Sequence, residues 1–158
     1  MKIINGVPEI SPLLSKAEIS DFLCSGRMNL FLVTKNIQNQ SDIHPVWYIY
    51  ENERFYFATE KISKKSKNIQ KNDFVSFSVA SECEPYMGLN GKGEAKILES
   101  SKSTLLAKKI VSKYMNDLKN KLAKEIFDEI ENGTEVIIEI IPEYFSAWSY
   151  KRYFSDDY

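Results

Sequence analysis

The residues best suited to chemistry lie between Glu60 and Lys71, where the chain reads Glu-Lys-Ile-Ser-Lys-Lys-Ser-Lys-Asn-Ile-Gln-Lys. Lys61, Lys64, Lys65, Lys67 and Lys71 fall within eleven residues, directly after an aromatic run that reads as a strand. Ser63 is placed to cap a helix. The free N–H groups of that helix's first turn, with the positive end of its dipole, form an anion site. Lys64 and Lys65 add formal charge there, so a phosphate on a small ligand fits. The competing reading is a solvated basic helix face, which composition alone favours.

A second candidate is His44-Pro45-Val46-Trp47-Tyr48. Pro45 cannot donate to a strand ladder, so this stretch begins at an edge or beside something other than a strand. Trp47 and Tyr48 point to opposite faces, which lets one enter the core while the other meets a ligand. Core packing alone accounts for either ring, and His44 reads as a loop histidine. The glycines of Gly88-Leu-Asn-Gly-Lys-Gly93 sit inside a strand pattern. They mark a bend or close backbone approach rather than a dinucleotide fingerprint. Trp148, near the end of the chain, reads as a core ring.

The composition narrows the chemistry further. A length of 158 residues suits one domain, expected to span 1–158. Apolar residues make up 43% and charged residues 27%, as in an ordinary globule. Lysine and arginine number 21 against 22 acidic residues, a balance that argues against a nucleic-acid binder. Cys24 and Cys83 lack Cys-x-x-Cys spacing and His44 is the single histidine. No structural zinc set is therefore expected, and any Ser-His-Asp mechanism would rest on His44 alone. Both cysteines are expected to be reduced core residues. No apolar run approaches the roughly 18 to 20 residues of a membrane span, and Met1 to Pro12 has no signal-peptide core. A cytoplasmic protein without membrane partners is expected.

The elements that must position these residues are mostly strands. Ser15-Lys16-Ala17-Glu18 is a capping box, opening a short helix with Ile19, Phe22 and Leu23 on its apolar face and Gly26 beyond its end. Met28–Lys35, Pro45–Tyr50 and Arg54–Thr59 read as strands, with a tight hairpin at Glu51–Arg54. Phe74–Ala80 alternates apolar residues with serine, and Met87–Leu98 follows. Apolar residues recur at helical spacing from Ser101 to Glu131, with a break at Asn116-Asp117 and a cap at Asn132-Gly133. Glu135–Ile141 and Tyr144–Tyr150 complete the set as two strands around Pro142. The expectation is a mainly β fold with flanking helices, a six- to seven-stranded antiparallel split barrel.

The order of these pieces resembles the pyridoxamine 5′-phosphate oxidase-like family of flavin-binding split barrels. Pro-Val-Trp-Tyr, Phe-Tyr-Phe-Ala-Thr, Ser-Lys-Lys-Ser-Lys-Asn, Val-Ser-Phe-Ser-Val, Asn-Gly-Lys-Gly-Glu-Ala and a closing Ile-Ile-Pro before Trp148 carry the likeness from about Ser15 to Tyr150. The resemblance implies a homodimer with FMN in the clefts between subunits. It matches Ser63, Lys64 and Lys65 to a Ser-Arg-Lys phosphate clamp, and Thr59 to a threonine beside the phosphate. Val46, Trp47 and Tyr48 match the strand along the isoalloxazine ring, while Tyr86 and Trp148 match positions reaching the cofactor from the partner chain. The family's pyridoxamine phosphate oxidases carry Arg-x-His after the terminal tryptophan. Here that place reads Ser149-Tyr150-Lys151-Arg152-Tyr153-Phe154, so another small-molecule substrate is expected.

The implied activity is an FMN-dependent oxidoreductase passing electrons between a small-molecule donor and acceptor. The alternatives are a deazaflavin-dependent reductase and a non-enzymatic flavin or deazaflavin binding or storage protein.

Overall fold

The structure, a computed structural model, describes residues 1–98 and 102–154. Among them, eight strands form one curled, mainly antiparallel sheet. They are β1 (Lys2–Asn5), β2 (Leu30–Lys35), β3 (Ser41–Val46), β4 (Ile49–Glu51), β5 (Arg54–Glu60), β6 (Phe74–Ala80), β7 (Met87–Ile97) and β8 (Glu135–Ser149). The order across the sheet is β3-β2-β6-β7-β8-β5-β4, and β1 pairs in parallel with β8. Four α-helices accompany it: α1 (Lys16–Cys24), α2 (Lys64–Lys71), α3 (Ser103–Tyr114) and α4 (Lys121–Asn132).

Local chemistry sets the ends of the helices. The Ser15 hydroxyl accepts the Glu18 N–H while the Glu18 carboxylate accepts the Ser15 N–H, completing the capping box of α1. Ser63 caps α2 by accepting from the Ser66 N–H. The expected helix start at Ser101 lies outside the described residues. The break at Asn116-Asp117 separates α3 from α4, and Asn120 caps the latter.

The alternating strand residues sort into two cores. The inner one is built on Tyr48, Phe55, Phe57, Phe77 and Phe145 and is closed by α1. The outer one lies between the β4–β5–β8 face and the α3–α4 pair, and contains Tyr56, Ile137, Ile110 and Tyr114. On β8, between β5 and β7, Glu139 is almost fully buried, and it is held by Arg54 at 2.7 Å, Lys96 at 3.0 Å and the Tyr56 hydroxyl at 3.1 Å.

Several details depart from the sequence reading, each for a tertiary reason. The N-terminal Lys-Ile-Ile-Asn forms β1, an eighth strand beyond the six or seven expected. The stretch read as one strand, Pro45–Tyr50, is split. Tyr114 of α3 takes the Tyr48 N–H on its hydroxyl at 3.2 Å and stacks on Trp47 at 5.0 Å, so the ladder is interrupted there. His44 lies within β3 rather than in a loop. The two strands expected around Pro142 are one continuous β8. Pro142 is tolerated because β5 pairs only as far as Ile140 and β1 begins at Tyr144, so no strand on that side asks for its missing N–H. Both cysteines are exposed, not buried. Ile19, Phe22 and Leu23 take the inward face of α1, which turns Cys24 outward, and Cys83 sits in the turn beyond β6.

Opposite Pro142 the β7–β8 register shifts between Lys92 and Gly93, a bulge that bends the long strand. A Cβ at Gly93 would collide with the Ile141 carbonyl, a backbone atom that cannot step aside. Gly93→Ala is therefore expected to destabilise the fold by about 1 to 3 kcal/mol. Urea or thermal unfolding measures this, and an unchanged midpoint would mean that the bulge relaxes without cost.

Candidate functional site

The start of α2 is fixed from both sides. On one side, the Thr59 hydroxyl lies 3.2 Å from the Ser63 hydroxyl, and the Ser66 hydroxyl donates to the Glu60 carbonyl at 3.0 Å. These contacts tie the helix start to the end of β5. On the other side, Lys64 pairs with Asp42 of β3 at 2.6 Å. The second Asp42 oxygen accepts from Asn68, which also reaches Thr34, and Thr34 contacts His44 at 3.1 Å. The hydrogen bond from Lys64 holds the Asp42 carboxyl below its usual range. Burial, then the nearby Lys65, lowers the His44 pKa, so the imidazole is neutral at pH 7.

Residues one apart on a helix point about 100° apart. With Lys64 turned to Asp42, Lys65 points a little more than a quarter turn away from it. It lines a cleft of about 410 Å³ between the ends of β5 and β8 and the α3–α4 pair, a volume in the range of small-ligand sites. Ser63, Thr59 and Lys65 make one end of this cleft polar, while Val46, Trp47, Ile110 and Ile126 supply apolar wall. Among the described residues Lys65 enters no ion pair, whereas Lys64 is already neutralised.

The nine residues singled out from the sequence thus divide. Val46, Trp47, Thr59, Ser63 and Lys65 meet at the cleft. Lys64 stands beside it, committed to Asp42. Tyr48 is fully buried and its hydroxyl donates to the Leu23 carbonyl at 3.1 Å, so its side chain is part of the inner core. Tyr86 is exposed, with its ring against Phe154. Trp148 lies flat on Gly88, where any Cβ would meet its ring. Neither of these two lines the Lys65 cleft.

A larger cavity, about 820 Å³, lies between the end of α1 and the turn after β6. Its rim mixes Glu18, Asp21, Glu82 and Glu84 with Arg27 and Lys151, so acidic groups outnumber basic ones there. Among the described residues no group of three metal-binding side chains is found. No helix among them is long and apolar enough to cross a membrane.

Sequence reasoning missed Glu135. It lines the same cleft, and its Oε2 is buried without a hydrogen-bond partner. Burial, then the Glu129 and Glu60 carboxylates, push its pKa up to about 7, with Lys65 opposing. The sequence carried no local signal of it, because the pairing of Glu60 at the end of β5 with Glu135 at the start of β8 is set by the strand register.

A partly closed antiparallel barrel, with a capped lysine-rich helix at one end of a half-apolar cleft, defines a split barrel. Residues 16–149 match the family described as pyridoxamine 5′-phosphate oxidase, and the chain belongs to that family. A conserved hypothetical protein from Mycobacterium tuberculosis has 21% sequence identity and a TM-score of 0.76, with 92% of this chain and 91% of that one covered. An F420 reductase has 21% identity and a TM-score of 0.65, with 80% and 94% covered. An FAD-binding protein from Mesorhizobium loti has 19% identity and a TM-score of 0.63, with 86% and 95% covered. At such identities these likenesses concern the fold. No curated protein matches the sequence.

Glu135 also carries a stability consequence. The folded chain holds this proton up to about pH 7, whereas the unfolded chain releases it near 4.5. Stability therefore falls as pH rises through that window. Glu135→Gln is expected to be more stable than the parent at pH 8, by on the order of 1 to 2 kcal/mol once partial solvent access is allowed for. Below about pH 4.5 the difference should vanish, because both states are then protonated. Urea unfolding at the two pH values measures it.

Proposed function

We propose that this chain is a flavoprotein oxidoreductase that binds FMN at the Lys65 cleft and acts on a small molecule other than pyridoxamine 5′-phosphate. The observation that carries the reading is the convergence of Lys65, Ser63 and Thr59 at one end of a cleft that also has apolar wall from Val46, Trp47, Ile110 and Ile126. That donor set suits a phosphoryl tail, and the apolar wall suits a ring. Lys65 neutralises the phosphate as a point charge. Ser63 is already engaged as the helix cap, so its part is to aim the first-turn N–H groups of α2 at the same place. Lys64 acts indirectly, holding α2 against β3 through Asp42. A bound flavin would supply hydride and electron transfer, which leaves the protein to bind, orient and shield the ring.

The same anion-binding end would serve a deazaflavin, the reading favoured by the F420 reductase among the structural neighbours. Pyridoxamine 5′-phosphate is disfavoured as substrate because Ser149–Phe154 contains no histidine, and the sole imidazole, His44, is tied to Thr34.

We further propose that the protein works as a homodimer. The outer face of β3–β2–β6 leaves Phe31, Ile43 and Phe74 from 43% to 66% exposed, whereas the outer face of β5–β8 is covered by α3 and α4. Uncovered apolar residues grouped on one sheet face suit a second copy of the chain. In such a dimer Tyr86 and Trp148 would approach the partner's cofactor.

The purified protein is expected to be yellow, with the absorption bands of oxidised flavin, or with those of a deazaflavin in the alternative. Lys65→Ala should release most of the cofactor, with affinity falling about ten- to a hundredfold for the loss of a charge-assisted contact. Lys64→Ala should lose far less. Equal retention by both variants would refute the assignment of Lys65. Light scattering tests the dimer, which Phe31→Glu should dissociate.

A further inference from the structure

The cleft holds one group that phosphate binding by Lys65 does not use. Glu135 opens β8 on the cleft wall, and its Oε2 is the one buried side-chain oxygen or nitrogen among the described residues found without a hydrogen-bond partner. A buried carboxyl oxygen left unpaired is costly and points to a partner that the protein does not supply. The charges around it are few. Glu60 stands directly across the β5–β8 ladder, Glu129 approaches from α4, and Lys65 comes from α2. From α3 the cleft receives only Ile110 and Val111, and from the end of β3 only Pro45 and Val46.

Three carboxyl groups therefore share one ammonium. Fully ionised, they would make the cleft negative where a phosphate is to be held. A proton kept on Glu135 removes the conflict, because it turns a repulsive acceptor into a donor.

We propose that Glu135 is a ligand-binding acid: in its protonated form it donates a hydrogen bond from its unpartnered carboxyl to a phosphoryl oxygen that Lys65 also holds. The inference rests on the reading of the cleft as a phosphate-ester site and adds a specificity-determining residue to it. Burial and the two neighbouring carboxylates place the loss of this proton at about pH 7. Above that value Glu135 repels the phosphate it otherwise holds, so the cleft takes up its ligand in neutral to mildly acidic solution and releases it in alkaline solution. The second ionisation of a phosphate monoester lies near 6, so from about pH 7 upward the ligand's own titration is nearly complete.

The test titrates the full chain with FMN, and separately with riboflavin, which lacks the phosphate, for the wild type, Glu135→Gln and Lys65→Ala. Wild-type FMN affinity is expected to fall by up to about tenfold per pH unit between roughly pH 7 and 8.5, while riboflavin affinity stays level. Glutamine keeps a donor but has no proton to lose, so Glu135→Gln should bind FMN equally well across that range. If the variant keeps the wild-type slope, or the wild type has none, the role of Glu135 is overturned, even where Lys65→Ala still weakens FMN. If FMN and riboflavin bind alike, or Lys65→Ala changes nothing, the phosphate reading itself fails and Glu135 falls with it. A ligand-free check is the infrared band of a protonated carboxyl in mildly acidic buffer. It should be present in the wild type and missing from Glu135→Gln, and a wild type without it also overturns the proposal.

Discussion

Everything at the cleft depends on how α2 is docked. Ser63 closes the helix start against β5, and the Lys64–Asp42 pair pulls the same turn toward β3. With these two anchors the rotation of the helix about its axis is set, and the side chain after Lys64 has one direction left. An exposed ion pair of this kind contributes little stability. Its importance here is geometric, because it settles which of two adjacent lysines faces the cleft.

The second constraint is the α3–α4 pair, which enters between β7 and β8 and covers half of the sheet's outer face. By taking the Tyr48 amide and stacking on Trp47, Tyr114 turns a strand into the floor of a cleft. Lys113 beside it sits 3.9 Å over the Tyr48 ring and donates to the Leu23 carbonyl, and burial lowers its pKa to about 8. The helix that shapes the cleft is thus also bound to α1 and to the inner core. The cleft and the inner core share these contacts, so changes in α3 are felt at both.

What the sequence disclosed and what it hid divide along one physical line. The capping box at Ser15, the N-cap at Ser63, the alternation in Phe74–Ala80 and the stop near Gly133 are written in neighbouring residues, and all were legible. The partner of Lys64 is 22 positions away at Asp42, the interruption at Tyr48 comes from Tyr114, and the tolerance of Pro142 depends on where β5 and β1 stop. Those are tertiary facts with no local signature. Glu135 was hidden for the same reason, since an acid at a strand end is unremarkable until its neighbours across the ladder are known. Cys24 and Cys83 were misjudged because burial was inferred from residue type without regard to helix face.

The stacking of Trp47 on Tyr114 has a practical side. One of the chain's two indoles stands in the wall of the Lys65 cleft, while the other rests on Gly88, away from it. The protein thus carries a built-in optical gauge, because the emission of an indole in a cleft wall is sensitive to what lies against it.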